Sequence, residues 1–421
     1  MTESIEASPC TLFGRDASTP RDAGIPALLA PAKRKLDASP FATQEAQPPQ
    51  CAAGRAGRLV IVGSGIKSLA QMTLEAIGHI AAADEVFHAV ADPLAETFIE
   101  RHARRSYDLC MLYDDDKPRI QTYVQMAEVI MRAVRQGRYV VGVFYGHPGV
   151  FVTPSHRAIA IARQEGYQAE MLAGVSAEDN LFADIGFDPS HPGCQTLEAT
   201  DLLLRSRPLL TDMHVVIFQV GVVGDHTFNF DRFQNRGFQI FIERLIASYG
   251  EDHDVYHYVA SIYSPCRPVV ERHRLGEFRD PELAARVTVV STFYVPPLGG
   301  STHIAQAIAH GLSKTPGKAG YAGPGASGDL YGPAERAAID ELDRHRIPDN
   351  YKTPNLTPSM YDAMYALATD PAARHAFERD PDAFLCANAN LRADERDALR
   401  SARMRLIHGS MRDGPGAGPR A

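Results

Sequence analysis

Arg58-Leu59-Val60-Ile61-Val62-Gly63-Ser64-Gly65 is the stretch that sets the class of fold. A short β-branched run closes on two glycines, and Leu69, Met72, Ala76 and Ile80 then recur at helical spacing. This is the order strand, glycine turn, helix, and it returns along the chain. Tyr139 to Tyr145 is a buried-strand pattern that runs into Gly146-His147-Pro148-Gly149, followed by a helical pattern from His156 to Arg163. Met213 to Gln219 is a further apolar strand ending in Val220-Gly221, and Val287 to Val295 reads as a long one ending at Pro296-Pro297. Strands alternating with helical segments predict an α/β domain whose parallel or mixed sheet is covered on both faces. Its ligand site is expected beyond the carboxyl ends of the strands.

Outward from this core the composition changes. Residues 1–56 mix Ala, Pro, Ser and charged residues without apolar periodicity, so they are expected to be a disordered leader. The α/β domain is assigned to residues 57–300. From Ser313 to Pro333 the chain is rich in Gly, Pro, Ala and Ser, which places a linker or irregular arm within 301–345. Residues 346–408 read as helical: Met360, Met364 and Leu367 share a face, and Asp370-Pro371 and Asp380-Pro381 each set a capping carboxylate before a first-turn proline. Leu391, Glu395 and Leu399 carry a further helix, and 409–421 is expected to be a flexible tail.

At 421 residues the chain suggests two or three domains, and its 45% hydrophobic and 22% charged residues exclude global disorder. With 43 basic against 51 acidic residues, no broad surface is built to neutralise a phosphate backbone, and no nucleic-acid partner is expected. No apolar run approaches the ~20 residues of a membrane span. No membrane partner is therefore expected, and a cytoplasmic location is. The six cysteines form no C-x-x-C pair and the 16 histidines no H-E-x-x-H, so no metal site is expected.

Four loops follow apolar runs: Gly63-Ser64-Gly65, Asp92-Pro93, Gly146 to Phe151, and Gly174-Val175-Ser176-Ala177-Glu178-Asp179-Asn180. Read together, Val-Gly-Ser-Gly-Ile, Asp-Pro, Tyr-Gly-His-Pro-Gly-Val-Phe and Gly-Val-Ser-Ala-Glu-Asp-Asn-Leu-Phe-Ala-Asp resemble the tetrapyrrole-methylase fold. Within that superfamily Tyr145 to Phe151, Ser176 to Asp184 and Phe218 to Gly221 resemble the borosins, the omphalotin-type peptide backbone α-N-methyltransferases. The resemblance runs from about Leu59 to about Arg412. It implies a two-lobed α/β methyltransferase domain, a clasp-like arm and a small all-helical, substrate-presenting domain. It also implies S-adenosylmethionine as cofactor and a homodimer in which the arm wraps the partner. Cofactor binding would fall to Gly63, Gly65, Asp92, Tyr145, His147, Gly149, Val150, Phe151, Ser176, Ala177, Gln219 and Val220.

A peptide nitrogen is a poor nucleophile because its lone pair is delocalised into the carbonyl. Methylating it requires the N–H proton to be weakened and the imidate-like oxygen to be stabilised, for which a cation and phenols serve. Arg119 has Tyr113 six residues before it and Tyr123 four after, and Arg119 and Tyr123 share a face if the stretch is helical. Spacing alone also fits a solvated helix face. The resemblance assigns these three as the catalytic group, with Tyr145 facing cofactor and amide. Arg119 would polarise the target carbonyl, and Tyr113 or Tyr123 would take the proton, as phenolate or through water. Tyr145 also fits a strand-terminal core aromatic, and His147 is assigned to shaping its loop. Asp114-Asp115-Asp116 point in different directions and read as solvated. Cys110 stands where the family often carries Tyr.

One departure shapes the expected function. No run of Val, Ile and Gly follows the helical segment as in fused borosins; Leu406-Ile407-His408 gives way to Gly409 to Ala421. Action in trans on a separate precursor peptide is therefore expected, against weak methylation of the chain's own tail or loss of the substrate. The competing activities are a small-molecule methylase acting on a tetrapyrrole-like ring, and a non-catalytic peptide-binding protein on a methylase scaffold.

Overall fold

The computed structural model describes residues 56–299 apart from 91, 116 and 230–232, together with 331–348 and 354–411. The expected leader, most of the arm, Asp116 and the end of the tail lie outside the described residues.

The first sheet is built by β1 (Arg58–Gly63), α1 (Leu74–Ala82), β2 (Glu85–Ala89), α2 (Pro93–His102), β3 (Ser106–Asp108), α3 (Arg119–Arg135), β4 (Tyr139–Phe144), α4 (Thr153–Gln164) and β5 (Gln168–Met171). Its strands are all parallel, in the order β3-β2-β4-β1-β5. Burial on both faces explains why β1 is an uninterrupted apolar run. Leu59 and Ile61 pack with Met126, Ile130 and Val134 of α3, while Val60 and Val62 pack with Ala76 and Ile80 of α1 on the other side. Each such side chain, fully buried, contributes about 1.5–3 kcal/mol.

The second half follows as α5 (Ala177–Ile185), β6 (Cys194–Glu198), α6 (Ala199–Leu204), β7 (His214–Phe218), α7 (Phe238–Tyr249), β8 (Asp254–Val259), β9 (Val269–Arg274), α8 (Pro281–Ala284) and β10 (Thr292–Val295). Its sheet runs β6-β7-β10-β8-β9 and is mixed: only β6 and β7 pair in parallel. Phe238, Phe241 and Leu245 of α7 cover one face against Ile217 and Phe293, and Leu181 of α5 covers the other against Val216 and Tyr258.

Two expectations are corrected. Leu69 has φ 62° and lies outside any helix. The helix starts five residues later, where the Thr73 hydroxyl accepts the Ala76 amide at 3.1 Å. The long strand from Val287 is confined to Thr292–Val295. Before it the Ser291 N–H donates to the Thr288 carbonyl (2.9 Å) and the Thr288 N–H to Ser291 Oγ (2.9 Å), so a side chain closes a turn inside a β-branched run.

The chain divides into two compact units between Ser301 and Thr302. The second unit contains α9 (Pro333–Asp340), α10 (Pro358–Thr369), α11 (Pro371–Arg379), α12 (Pro381–Ala387), α13 (Ala393–Ser401) and α14 (Met404–Ser410). Met360, Ala363, Leu385, Leu391 and Leu399 form its core. Asp370 ends α10 and caps α11, and Asp380 ends α11 and caps α12, each ahead of a proline. Glu395 is fully buried, and its carboxylate accepts the Thr357 hydroxyl (3.0 Å) and the Arg392 amide (2.9 Å). Gly409 and Ser410, expected in the flexible tail, belong to α14.

Candidate active site

The carboxyl ends of β1 and β4 carry two loops that cross. The Gly65 N–H donates to the Gly146 carbonyl (3.2 Å) and the Gly146 N–H to the Gly65 carbonyl (3.0 Å), both residues being in the left-handed region at φ 70° and 72°. A Cβ on Gly63 would lie 2.1 Å from the Gly146 oxygen, and one on Gly65 2.4 Å from the Gln71 Cβ. The glycines therefore let the two backbones meet. Gln71 ties this crossing to the loop before α5: its Oε1 accepts the Ile66 (3.1 Å) and Lys67 (2.8 Å) amides, and its Nε2 donates to Asn180 Oδ1 (2.7 Å). Asn180 Nδ2 donates in turn to the Ser176 carbonyl (2.9 Å).

Between the two sheets these loops enclose a cavity of about 320 Å³. From the first half Tyr113, Tyr123, Tyr145, His147, Val150 and Phe151 reach its wall, and from the second Ser176, Ala177 and Gln219. Phe151 and Gln219 hold φ of 57° and 60°, backbone strain that non-glycine residues carry only where the surroundings impose it. His147 Nδ1 accepts the Gly149 amide (2.9 Å), so its imidazole shapes the loop. Ser176 caps α5 in a box with Asp179, the Asp179 amide reaching its Oγ at 3.2 Å and its own amide reaching Asp179 Oδ2 at 2.6 Å.

Arg119 opens α3, with Tyr123 one turn further along the same helix. The Arg119 amide donates to the His226 carbonyl (2.8 Å), its Nη2 donates to the Asp225 carbonyl, and Pro118 bridges Thr227. A loop of the second half thus fixes a residue of the first. Arg119 is half-buried and does not itself reach the cavity wall. Tyr113 stacks on Phe228 at 4.3 Å between centroids. Burial pushes its hydroxyl well above the usual phenol range, a hydrogen bond with Tyr123 adds to the rise, and the Arg119 charge opposes it. Tyr145 is also raised, by burial and then by the Asp92 charge. In both rings burial favours the phenol over the phenolate.

Several residues expected at the cofactor also have a structural role. Asp92 is 2% exposed and accepts the Leu94 and Ala95 amides (3.0 Å each) and the Ser68 hydroxyl (2.8 Å); it is the cap of α2. Gly63, Gly65 and Gly149 shape the loops without reaching the cavity wall, and Val220 is buried in the core of the second half. Conversely Tyr258, Val289, Val290 and Thr292 line the cavity unanticipated. They come from β8, β10 and the turn before it, where only antiparallel pairing brings them together. The Ser and Thr within the run Val287 to Thr292 are the one available signal. Among the described residues no cluster of metal-binding side chains occurs.

Residues 58–256 match the family Tetrapyrrole (Corrin/Porphyrin) Methylases, and residues 330–417 match the Borosin biosynthesis clasp domain. Among known proteins the chain is 47% identical over 405 residues to the methyltransferase and type III borosin cyclic peptide precursor of Anomoporia bombycina, covering 90% of this chain and 47% of that one. The chain thus spans about half the length of that relative. It is 45% identical over 370 residues to the dendrothelin A precursor of Dendrothele bispora, covering 85% of this chain and 89% of the relative. With the omphalotin A precursor of Omphalotus olearius it shares 43% identity over 372 residues, covering 86% and 89%. Each of these is named as a methyltransferase and a ribosomally synthesized peptide precursor in one chain. A two-lobed α/β unit with a cavity between its halves, followed by a helical clasp-type segment, makes this chain a member of the borosin methyltransferases.

Proposed function

We propose that the cavity binds S-adenosylmethionine and that the chain methylates backbone amide nitrogens of an extended, ribosomally made peptide supplied in trans. The observation that carries this reading is the meeting of Tyr113 and Tyr123 on the wall of the cavity, with Arg119 beside them. The cavity suits the cofactor: Phe151, Phe218 and Val289 offer apolar walls for a flat base, and Tyr145, Gln219 and Thr292 supply a few polar groups. The glycine crossing lets main chain approach a ligand at the strand ends. When bound, the cofactor supplies an electrophilic methyl group.

The chain's own residues prepare the amide. Arg119 holds a fixed positive charge near the cavity, and a guanidinium has five donors, of which the Asp225 carbonyl engages one nitrogen. The others serve a substrate carbonyl as its oxygen gains charge. Tyr113, held as a phenol, donates to that oxygen, and the amide proton leaves through water. The apolar walls limit competing water in the cavity. A strand supplied from elsewhere is part of this reading because residues 404–410 are helical, and Arg392 Nη2 donates to the Ser410 carbonyl at 2.6 Å. Tyr361 and Tyr365, exposed side by side on α10 with ring centroids 6.1 Å apart, offer the second unit an aromatic face for a peptide.

Arg119→Ala tests the reading in the full chain. Methylation of an added extended peptide, followed by mass spectrometry, should fall at least about a hundredfold, while S-adenosylhomocysteine still binds by calorimetry. Undiminished methylation would overturn the proposal. Intact-mass analysis of chain and peptide after incubation reads the direction of transfer: increments on the added peptide support action in trans, and increments confined to the chain itself refute it.

A further inference from the structure

Behind the cavity wall lies a row of polar side chains that the methyl-transfer chemistry does not use. The turn Thr288–Ser291 and its neighbour Thr292 line the cavity through Val289, Val290, Ser291 and Thr292. Ser291 is 1% exposed and His257, on β8, is 4% exposed. His257 Nε2 lies 2.8 Å from Ser291 Oγ, and His257 Nδ1 lies 3.1 Å from Glu271 Oε2 on β9. A carboxylate opposite Nδ1 sets that nitrogen as the protonated one. Nε2 is then the acceptor, and the Ser291 hydroxyl donates to it while accepting the Thr288 amide at 2.9 Å.

Serine, histidine and glutamate in this order invite comparison with a nucleophile triad, but the Ser291 hydroxyl is engaged by the Thr288 amide and His257 within its own turn. Its work is on its own turn. The opposite flank is equally tight: a Cβ on Gly221 would lie 1.9 Å from the Thr288 carbonyl, so the turn rests on the segment that holds Gln219 at the cavity. We propose that His257 is a positioning residue for the cofactor, holding the Thr288–Thr292 wall of the cavity in place through Ser291. This inference rests on the reading of the cavity as the S-adenosylmethionine site.

The charged and titratable groups facing His257 are Glu271, His273 and Arg286. Glu271 also pairs with Arg286 and, at 3.7 Å, with His273 Nε2. Burial pulls the His257 imidazole below its ordinary value, against the upward pull of Glu271. A neutral ring is therefore built in, and its clamp is present above the unfolded value of about 6.5. As pH falls through the depressed folded value, Nε2 gains a proton and can no longer accept from Ser291.

The test uses the full chain with S-adenosylhomocysteine as probe. Calorimetry on wild type, Ser291→Ala and His257→Phe should show roughly tenfold weaker binding in each variant, the loss expected for one buried hydrogen bond. The Michaelis constant for the cofactor should rise by the same factor while the rate at saturation changes much less. Without cofactor, the NMR titration of the wild-type His257 ring should fall below about 6.5, and wild-type affinity should weaken over that same range but not in Ser291→Ala. Ser291→Ala removes one oxygen and guards against a fold that collapses in His257→Phe. Folded Ser291→Ala binding as tightly as wild type overturns the inference alone. Wild type that binds no S-adenosylhomocysteine overturns the cofactor reading and the inference with it.

Discussion

Replacing Gly63 by alanine puts a methyl group where β1 meets the crossing of the two loops. The new Cβ would stand 2.1 Å from the Gly146 carbonyl oxygen and 2.9 Å from Pro148 Cδ. That oxygen must retreat by more than about 1 Å to reach an ordinary contact distance. It is not free to do so, because it accepts the Gly65 amide while the Gly146 amide returns to Gly65. Overpacking a tight site costs about 1–3 kcal/mol, and losing the two backbone hydrogen bonds adds about 0.5–1.5 kcal/mol each. A total near 3 kcal/mol lowers the midpoint of a unit this size by about 6–12 °C. Scanning calorimetry of the full chain reads the first transition, and titration with S-adenosylhomocysteine should show binding weakened more than tenfold. A shift under about 2 °C with unchanged binding would mean that the crossing is slack and does not shape the cavity.

The remaining predictions concern single groups. Tyr113→Phe keeps the stack on Phe228 but removes the hydroxyl; single-turnover methylation should slow by about 10²-fold with binding unchanged, and an unaltered rate would remove Tyr113 from the chemistry. Tyr249 is 6% exposed and its hydroxyl has no hydrogen-bond partner, so Tyr249→Phe should stabilise by about 1 kcal/mol in thermal melts; destabilisation would contradict that burial cost. Burial raises Tyr113, Tyr145 and Tyr258 and pushes Tyr249 up to about 12. Because the folded values lie above the unfolded ones, this contribution to stability is complete below about pH 10 and is lost as pH rises through the folded values. Absorbance at 295 nm should show a delayed class of tyrosines that ionises together with unfolding.

What the sequence makes legible follows the physics of burial. Strands such as β1 and β7, covered on both faces, leave short apolar, β-branched runs, and their length and, for β1, the glycines that follow mark them as strands. The tyrosines beside Arg119 are recognisable through family resemblance rather than spacing, since a solvated helix face has the same spacing. Asp92 shows how one dipeptide carries two readings. Asp-Pro at 370 and 380 reads as a helix cap, whereas at 92 the family resemblance assigns the same pair to the cofactor. All three are caps. The cavity residues of β8 and β10 are hidden for another reason: antiparallel register, a property of the whole sheet, decides which strand ends face the cavity.

The pairing of Lys117 to Arg119 with residues 225–228 bears on any attempt to recombine this protein with its relatives. The Lys117 carbonyl accepts the Phe228 amide at 3.1 Å, Pro118 bridges Thr227, and Arg119 leans on Asp225 and His226. A chimera cut between the two sheets would graft an arginine from one parent onto a cradle from another. Exchanged modules must carry both segments as one inherited piece, or the cation will be intact in composition and misplaced in space.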